Sequence, residues 1–588
     1  MGMGSRLSPA GYGRLMLLVA GLGGLLYGID VGIIGGALPY LEATSNLSRG
    51  EISIIVAAVL LGSVFSTLFA GLLADWMGRK PLMLLSGVAF SLSVPIIALS
   101  KGFGPLFLGR LLQGVSGGLV GVVVPLYLAE CLSAKVRGKG TGIFQWLLTL
   151  GIFVAAVIGI YTSYHVAEIA RTASADALFA AKDRAWRSIF WMSLPPGLLF
   201  VGTAYFISES PRWLFRRGRI GAARAALERS RTPEQAAIEM DEMEQIAAQG
   251  KHGVTYKESL LSRRYVIPFL LACVILVCNT ATGINSIIGY NVDILIQSGL
   301  SDVLAHWGYV LFTFMNFLMT VVGLQLVDRK GRKFLLVLGT SGVIVSLVAV
   351  GTLFLHTEKA RYDARDAVQR LVTGDDALKV KFDAAEAQQL GAPNEGQQSL
   401  AIIYSYGDFT SSTKPVVTGD ADPATIDRAE SIPSSKVAAF FQNPFANLAA
   451  ARTAPLKIEH AYITPVPSTA NGWMVAFCLY LFVSFFAMGP GVVVWLALSE
   501  LMPTRIRSNG MSIALVLNQT VSTTLAAIFL PVVGKYGYST MFYLFAGFTV
   551  VYLVTAAFFL PETKGKTLEE IEEIFEHGDK QAASPIPS

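Results

Sequence analysis

Asp30 stands inside an apolar run from Leu15 to Leu41, and the next acidic residue is Glu42. A carboxylate in such a run costs about 2.5–3.5 kcal/mol on membrane-insertion scales. Binding a proton relieves the cost, and so does pairing with a base. The first outcome is the chemistry of a proton carrier, the second that of a fixed ion pair. Three further strings mix acids and bases, and each occurs twice. Asp75-Trp-Met-Gly-Arg79-Lys80 matches Asp328-Arg-Lys-Gly-Arg332-Lys333, and Glu130 with Arg137 matches Glu500 with Arg507. Glu209-Ser-Pro-Arg212 matches Pro561-Glu562-Thr-Lys564. Arg presents a planar fork that fits a carboxylate. Such groups are expected to pair across a boundary between two halves, forming a latch that breaks when that side opens. Orienting a protein in a membrane requires Lys and Arg but no Asp or Glu, so the acidic members point to the latch.

The elements that hold these residues are legible from hydropathy. The chain has 588 residues, 53% hydrophobic and only 15% charged, with a mean hydropathy of +0.54. Soluble domains carry about 25% charge, so a soluble enzyme, a disordered scaffold and a secreted disulfide scaffold are all excluded. Apolar runs of spanning length fall near 14–40, 51–73, 82–100, 104–128, 141–163 and 188–207, then near 265–297, 305–327, 334–355, 473–498, 511–533 and 540–560. The fold class is therefore an all-α membrane protein of twelve spans in two groups of six. The first run reads as a span that stays, not a removed signal. Every even-numbered span is followed by Lys or Arg, which places both termini in the cytoplasm. Four basic residues in 164–187 run against this pattern.

The expected organisation is an N-terminal six-helix bundle (1–207), a cytoplasmic helical linker (208–264), the first part of the C-terminal bundle (265–356), an extracytoplasmic insertion (357–470), the rest of the bundle (471–560) and a cytoplasmic tail (561–588). The insertion fits either a small folded cap or a partly disordered segment, with some helix expected over 359–390. The duplicated strings are offset by 253, 370 and 353 residues. The jump after the first is about what the insertion adds, so the halves read as parallel repeats. Four Cys without CxxC spacing read as unpaired apolar residues. No Walker loop, metal cluster or nucleophile–base pair is legible, so neither a cofactor, a metal nor an enzyme activity is expected. The small net charge of +5 gives no reason to expect nucleic acid.

With these residues in order, the sequence resembles the sugar porter family of the major facilitator superfamily. The carrying motifs are Gly28-Ile-Asp30-Val-Gly32, the two Asp…Gly-Arg-Lys strings, Gly109-Arg110, Pro125-Leu-Tyr-Leu-Ala-Glu130, Glu209-Ser-Pro-Arg-Trp-Leu214, Gly283-Ile-Asn285, Gly489-Pro-Gly491 with Trp495 and Glu500, and Pro561-Glu-Thr-Lys-Gly565. The resemblance implies two six-helix bundles with a central sugar site and rocking alternating access. By motif it implies sugar contacts from Gln145, Asn279, Thr280, Asn285, Asn316, Trp495 and Asn518. Amides suit sugars, since each offers donor and acceptor without charge, and in hydrocarbon each should face a cavity or a partner. The sequence departs from the family at Asn279-Thr280, where Gln-Gln is usual, and at Ile29, Val492 and Gln519. These changes bear on substrate identity.

The resemblance also implies Arg110 as the partner of Asp30. Proton-coupled members carry an acid at this position, and facilitative members generally do not. The expected function is proton-coupled import of a monosaccharide or polyol, by a transport unit expected to be monomeric, in the plasma membrane or, in a prokaryote, the inner membrane. The expected partners are that small molecule, the proton and the lipid bilayer. A facilitative uniporter and a non-transporting nutrient sensor are the alternatives.

Overall fold

The computed structural model describes residues 8–131, 134–251, 263–374, 376–392, 396–420, 423–433, 436–443, 445–502, 507–564 and 574–575. Twelve helices among them are long and apolar enough to cross a membrane. In the first half they are Pro9–Thr44, Arg49–Met77, Arg79–Ala98, Phe103–Leu128, Ile143–Ala170 and Ala175–Phe206. In the second half they are Tyr265–Gly289, Asp302–Val327, Arg332–Lys359, Thr469–Val494, Gly510–Tyr536 and Tyr538–Phe559. The twelve spans expected from the apolar runs are thus present, six on each side of the linker.

The basic stretch 164–187 turns out not to be a loop. The fifth helix continues to Ala170 and the sixth starts at Ala175, leaving a turn of four residues. Arg187 lies on the sixth helix. Its guanidinium donates to Asp183 at 2.9 Å and to the carbonyls of Ala98 and Ser100, both at 2.9 Å, and it covers the Trp186 ring. A cation placed on the last carbonyls of the third helix satisfies acceptors that have no partner within the helix. Its position thus follows from a local helix end, and it carries no message about orientation.

The seventh span is interrupted, with helix Arg263–Ala281 ending where Gly283 takes φ = 84° and a new helix starting at Ile284. That left-handed conformation suits Gly because it has no Cβ. A Cβ there would also run into the Phe545 ring. The tenth span also breaks, at Gly489 before Pro490, without a left-handed residue. Broken helices free backbone groups and turn side chains inward, which membranes tolerate only beside protein or a cavity.

Residues 362–465 form a separate cap at one end of the bundle. Its strands are β1 (Tyr362–Asp363), β2 (Leu378–Val380), β3 (Gln398–Tyr406), β4 (Phe409–Ser412), β5 (Val416–Val417), β6 (Ala424–Ile426) and β7 (Leu456–Pro465). The main sheet runs β1-β7-β3-β4, with β5 also on β3, and β2 pairs with β6, all antiparallel. Leu400, Ile402, Ile458 and Phe382 fill a core of the cap's own. The short helix Lys436–Gln442 seats the cap, with Gln442 donating to Ser48 Oγ at the start of the second span at 3.3 Å.

The apolar cores show how the halves meet. On the cap face one continuous cluster joins both halves, running from Ile33, Ile55 and Trp186 to Ile288, Tyr309 and Phe529. On the opposite face, which carries the linker helices Pro211–Arg216, Ile220–Glu228 and Pro233–Lys251, each half keeps its own core. This second face is called the terminal face below. Lipid is as apolar as Leu, so such clusters hold by close packing and dispersion, not by expulsion from water.

Gly283→Ala should therefore lower stability by about 1–3 kcal/mol, read as a drop in the midpoint of thermal unfolding in detergent. An unchanged midpoint would show that the break in the seventh span tolerates a Cβ.

Candidate transport site

Asp30 lies in the middle of the first span and Arg110 near the start of the fourth. The structure brings them together, with Arg110 Nη1 3.9 Å from Asp30 Oδ1. Asp30 is 1% exposed, and neither of its oxygens accepts a hydrogen bond from a described residue. Arg110 gives its short bond elsewhere, from Nη1 to Gln113 Oε1 at 2.6 Å, and its guanidinium sits over the Phe190 ring. Gly117 opens the space, since a Cβ there would lie 3.0 Å from Asp30 Oδ2. A permanently charged pair in hydrocarbon needs good geometry and further hydrogen bonds to offset desolvation. This pair has a long contact and an unbonded carboxyl, an arrangement suited to an acid that takes up a proton.

The predicted sugar contacts fall into two groups. Asn285, in the first turn after the break in the seventh span, donates to Ser522 Oγ at 2.7 Å. Asn518 donates to Leu276 O at 2.8 Å and also to Thr280 Oγ1. The seventh and eleventh spans are thus stitched together by Thr280, Asn285, Asn518 and Ser522. Thr280 stands at one of the two departures from Gln-Gln, and its hydroxyl is already held by Asn518. Asn279 is buried with its Oδ1 unbonded, Asn316 is buried on the eighth span, and Gln145 is half-buried on the fifth. The Trp495 side chain lies outside the described residues.

The duplicated strings build two copies of one module. Arg79 Nη2 meets Glu130 at 2.8 Å and Asp75 at 2.9 Å. Glu209 accepts from the backbone N–H groups of Arg79 and Lys80, capping the third span. Burial pushes the Glu209 carboxyl above its usual range, while the Ser210, Arg79 and Lys80 N–H groups pull it back. In the second half Arg332 meets Glu500 at 3.0 Å, and Glu562 accepts from the Arg332 and Lys333 N–H groups at 3.0 and 3.1 Å. Ser210 donates to Glu130, and Thr563 donates to Glu500 at 2.5 Å. Gly78 and Gly331, with φ of 103° and 91°, make the matching turns against these carboxylates.

In this structure, closed on the cap face, no latch between the halves is engaged among the described residues of the terminal face. Each described pair of these modules joins residues of a single half, and none crosses between halves. Two helix ends of one bundle are already adjacent, so Arg79 finds Glu130 without any movement of the other bundle. Arg212 takes no part in these modules. It is exposed, without a described ion pair, and Arg216 one turn on reaches Glu130 at 3.2 Å and Asp75 at 3.6 Å. The side chains of Arg137, Asp328 and Arg507 lie outside the described residues.

The bonds that do join the halves lie toward the cap face, on residues the sequence did not single out. Asp302 accepts from Tyr40 at 2.9 Å and from Ser163 at 2.7 Å. Tyr309 donates to Gly32 O at 2.9 Å, and Trp307 to Tyr164 Oη at 2.9 Å. Tyr290 reaches Ser53 at 3.3 Å and stacks on Phe529. Among the described residues, this face is closed and cross-bonded.

The sequence matches the Sugar (and other) transporter family over residues 16–369 and 449–575, leaving out most of the cap. The glucose transporter GlcP of Staphylococcus epidermidis is 26% identical over 95% of this chain and 96% of its own. The human proton myo-inositol cotransporter is 27% identical over 96% of this chain and 82% of its own. Among solved structures, the proton:xylose symporter XylE of E. coli superposes with a TM-score of 0.62 at 21% identity, covering 96% of this chain and 99% of that one. That likeness establishes the major facilitator fold.

The two modules differ in burial, with the Arg79 side chain 2% exposed and that of Arg332 13%. Breaking a buried pair from one side costs about 3–5 kcal/mol, and exposure lowers that figure. Arg79→Ala should therefore lower the unfolding midpoint in detergent more than Arg332→Ala. Equal losses would show that burial does not rank the modules.

Proposed function

Because the chain belongs to the sugar (and other) transporter family, we propose that it carries a sugar or polyol together with a proton, by alternating access, with the terminal face in the cytoplasm. The observation that carries this reading is the Asp30–Arg110 pair: buried, 3.9 Å apart, with both carboxylate oxygens unbonded. The names of the similar human cotransporter and of XylE, which both include the proton, support it. So does the run of Lys and Arg after even-numbered spans.

The residues divide the work. Ionised Asp30 attracts Arg110 and restrains the first span against the fourth. Protonated Asp30 releases it, so the loaded carrier turns over. Asn285 and Asn279 beside the break of the seventh span, Asn316 on the eighth span and Gln145 on the fifth offer uncharged donors and acceptors, with which a polyhydroxylated solute finds partners without a charged group. Thr280 and Asn518 serve by holding the seventh span to the eleventh, and Trp495 supplies a flat apolar face. The duplicated terminal-face modules act as rigid corners within each half, so each half rocks as a unit.

The test is uptake into proteoliposomes of labelled hexoses, pentoses and polyols, with and without an imposed pH gradient. Wild type should accumulate its substrate only with the gradient. Asp30→Asn should lose accumulation and keep exchange of substrate across the membrane. Accumulation by the variant would overturn the coupling role, and wild-type uptake that ignores the gradient would leave a facilitative uniporter.

A further inference from the structure

His306 lies one turn into the eighth span and is 0% exposed. Its Nδ1 is 2.9 Å from the carbonyl oxygen of Asp302, and its Nε2 is 3.2 Å from the carbonyl oxygen of Gly36 on the first span. Both neighbours are acceptors only. A neutral imidazole carries one N–H and one lone pair, so it would turn a lone pair toward one of these oxygens, in a buried site where an unmade bond is costly. The imidazolium carries two N–H groups and fits both. Its counter-charge is present, since Asp302 Oδ1 stands 3.5 Å from Nδ1. Asp302 is in the first turn of its helix, where the macrodipole favours a carboxylate.

The surroundings are built for the ring. Tyr40 stacks on it with centroids 5.7 Å apart and planes 13° from parallel. Gly36 and Gly159 meet back to back, and a Cβ on Gly159 would lie 3.4 Å from the ring's Cδ2. The described titratable groups facing His306 are Asp302 of its own helix and Tyr40 of the first span. The fifth span presents Gly159 and the Ser163 hydroxyl, neither of which titrates. Asp302 and His306, both of the second half, thus grip Tyr40, Gly36 and Ser163, all of the first.

We propose that His306 is a proton-operated lock on the cap face: as imidazolium it ties the first span to the eighth and holds this face shut, and on losing a proton it gives up one of its two bonds and lets the face open. The lock is separate from Asp30, which lies at another level of the first span and pairs within its own half. It rests on the alternating-access reading but not on proton coupling at Asp30.

The experiment is a pulsed electron-spin distance measurement on the full chain in lipid nanodiscs, in a cysteine-free background. Spin labels go at Thr172 and Ala360, exposed positions on the cap-face ends of the two halves. In wild type the short-distance population should grow as the pH is lowered. In His306→Gln, which keeps an amide N–H but no charge, that dependence should be lost. Asp302→Asn removes the counter-charge without touching the ring, so it should shrink the pH-driven change in that population. It serves where His306→Gln does not fold. Asp30→Asn should leave the dependence in place. A wild-type population that ignores pH, a dependence that survives His306→Gln, or an Asp302→Asn response as large as that of wild type would each overturn the proposal. Loss of coupled uptake in Asp30→Asn with the dependence intact separates this lock from the coupling site.

Discussion

A carboxyl in hydrocarbon must shed its charge or share it, and Asp30 is placed so that it does neither completely. Arg110 is near enough to attract it and too far to hydrogen-bond it, while Gln113 takes the short bond the arginine has to give. Desolvation of two ions costs several kcal/mol each even after relaxation. A pair held this loosely has little surplus with which to stay charged. In the proposed mechanism the contact between the first and fourth spans depends on whether a proton is present, and a carrier needs that dependence where its helices slide.

The rest of the bundle makes the dependence useful. Each half is stiffened at its terminal face by an arginine held between carboxylates, with a glutamate capping the next helix. Packed cores shift between discrete arrangements more readily than they deform, so in the proposed mechanism a small change at Asp30 is passed on as rotation of a whole half. On the cap face the halves share one core and several hydrogen bonds, and on the terminal face they do not. The structure is thus one end state of a rocking motion, closed toward the cap. The cap adds weight on that side and touches the start of the second span through Gln442.

Much of this was legible in the sequence. Twelve spans follow from length and hydropathy. The modules were visible because acids and bases at helix ends stand out against apolar runs, and because they repeat. Their partners in this state were not legible: a string of residues does not show which neighbour is closer, and here each module pairs within its own half. The Asp302–His306 grip was hidden for a related reason. Its partners lie 139 to 270 residues away, and a single polar residue at a helix end looks like ordinary loop chemistry. The cap's sheet was illegible as well, since its strands run from two to ten residues and its longest pairing joins β3 to β7 across about fifty residues.

The most direct test follows the proton itself. Proteoliposomes are loaded with a pH-sensitive dye in weak buffer, and an inward gradient of the transported sugar or polyol is imposed with no pH gradient and the membrane potential clamped. Solute entry should acidify the lumen in wild type and leave it unchanged in Asp30→Asn, although solute still enters. Wild-type entry with no change in lumen pH would contradict the account, because no proton would then be moving with the substrate.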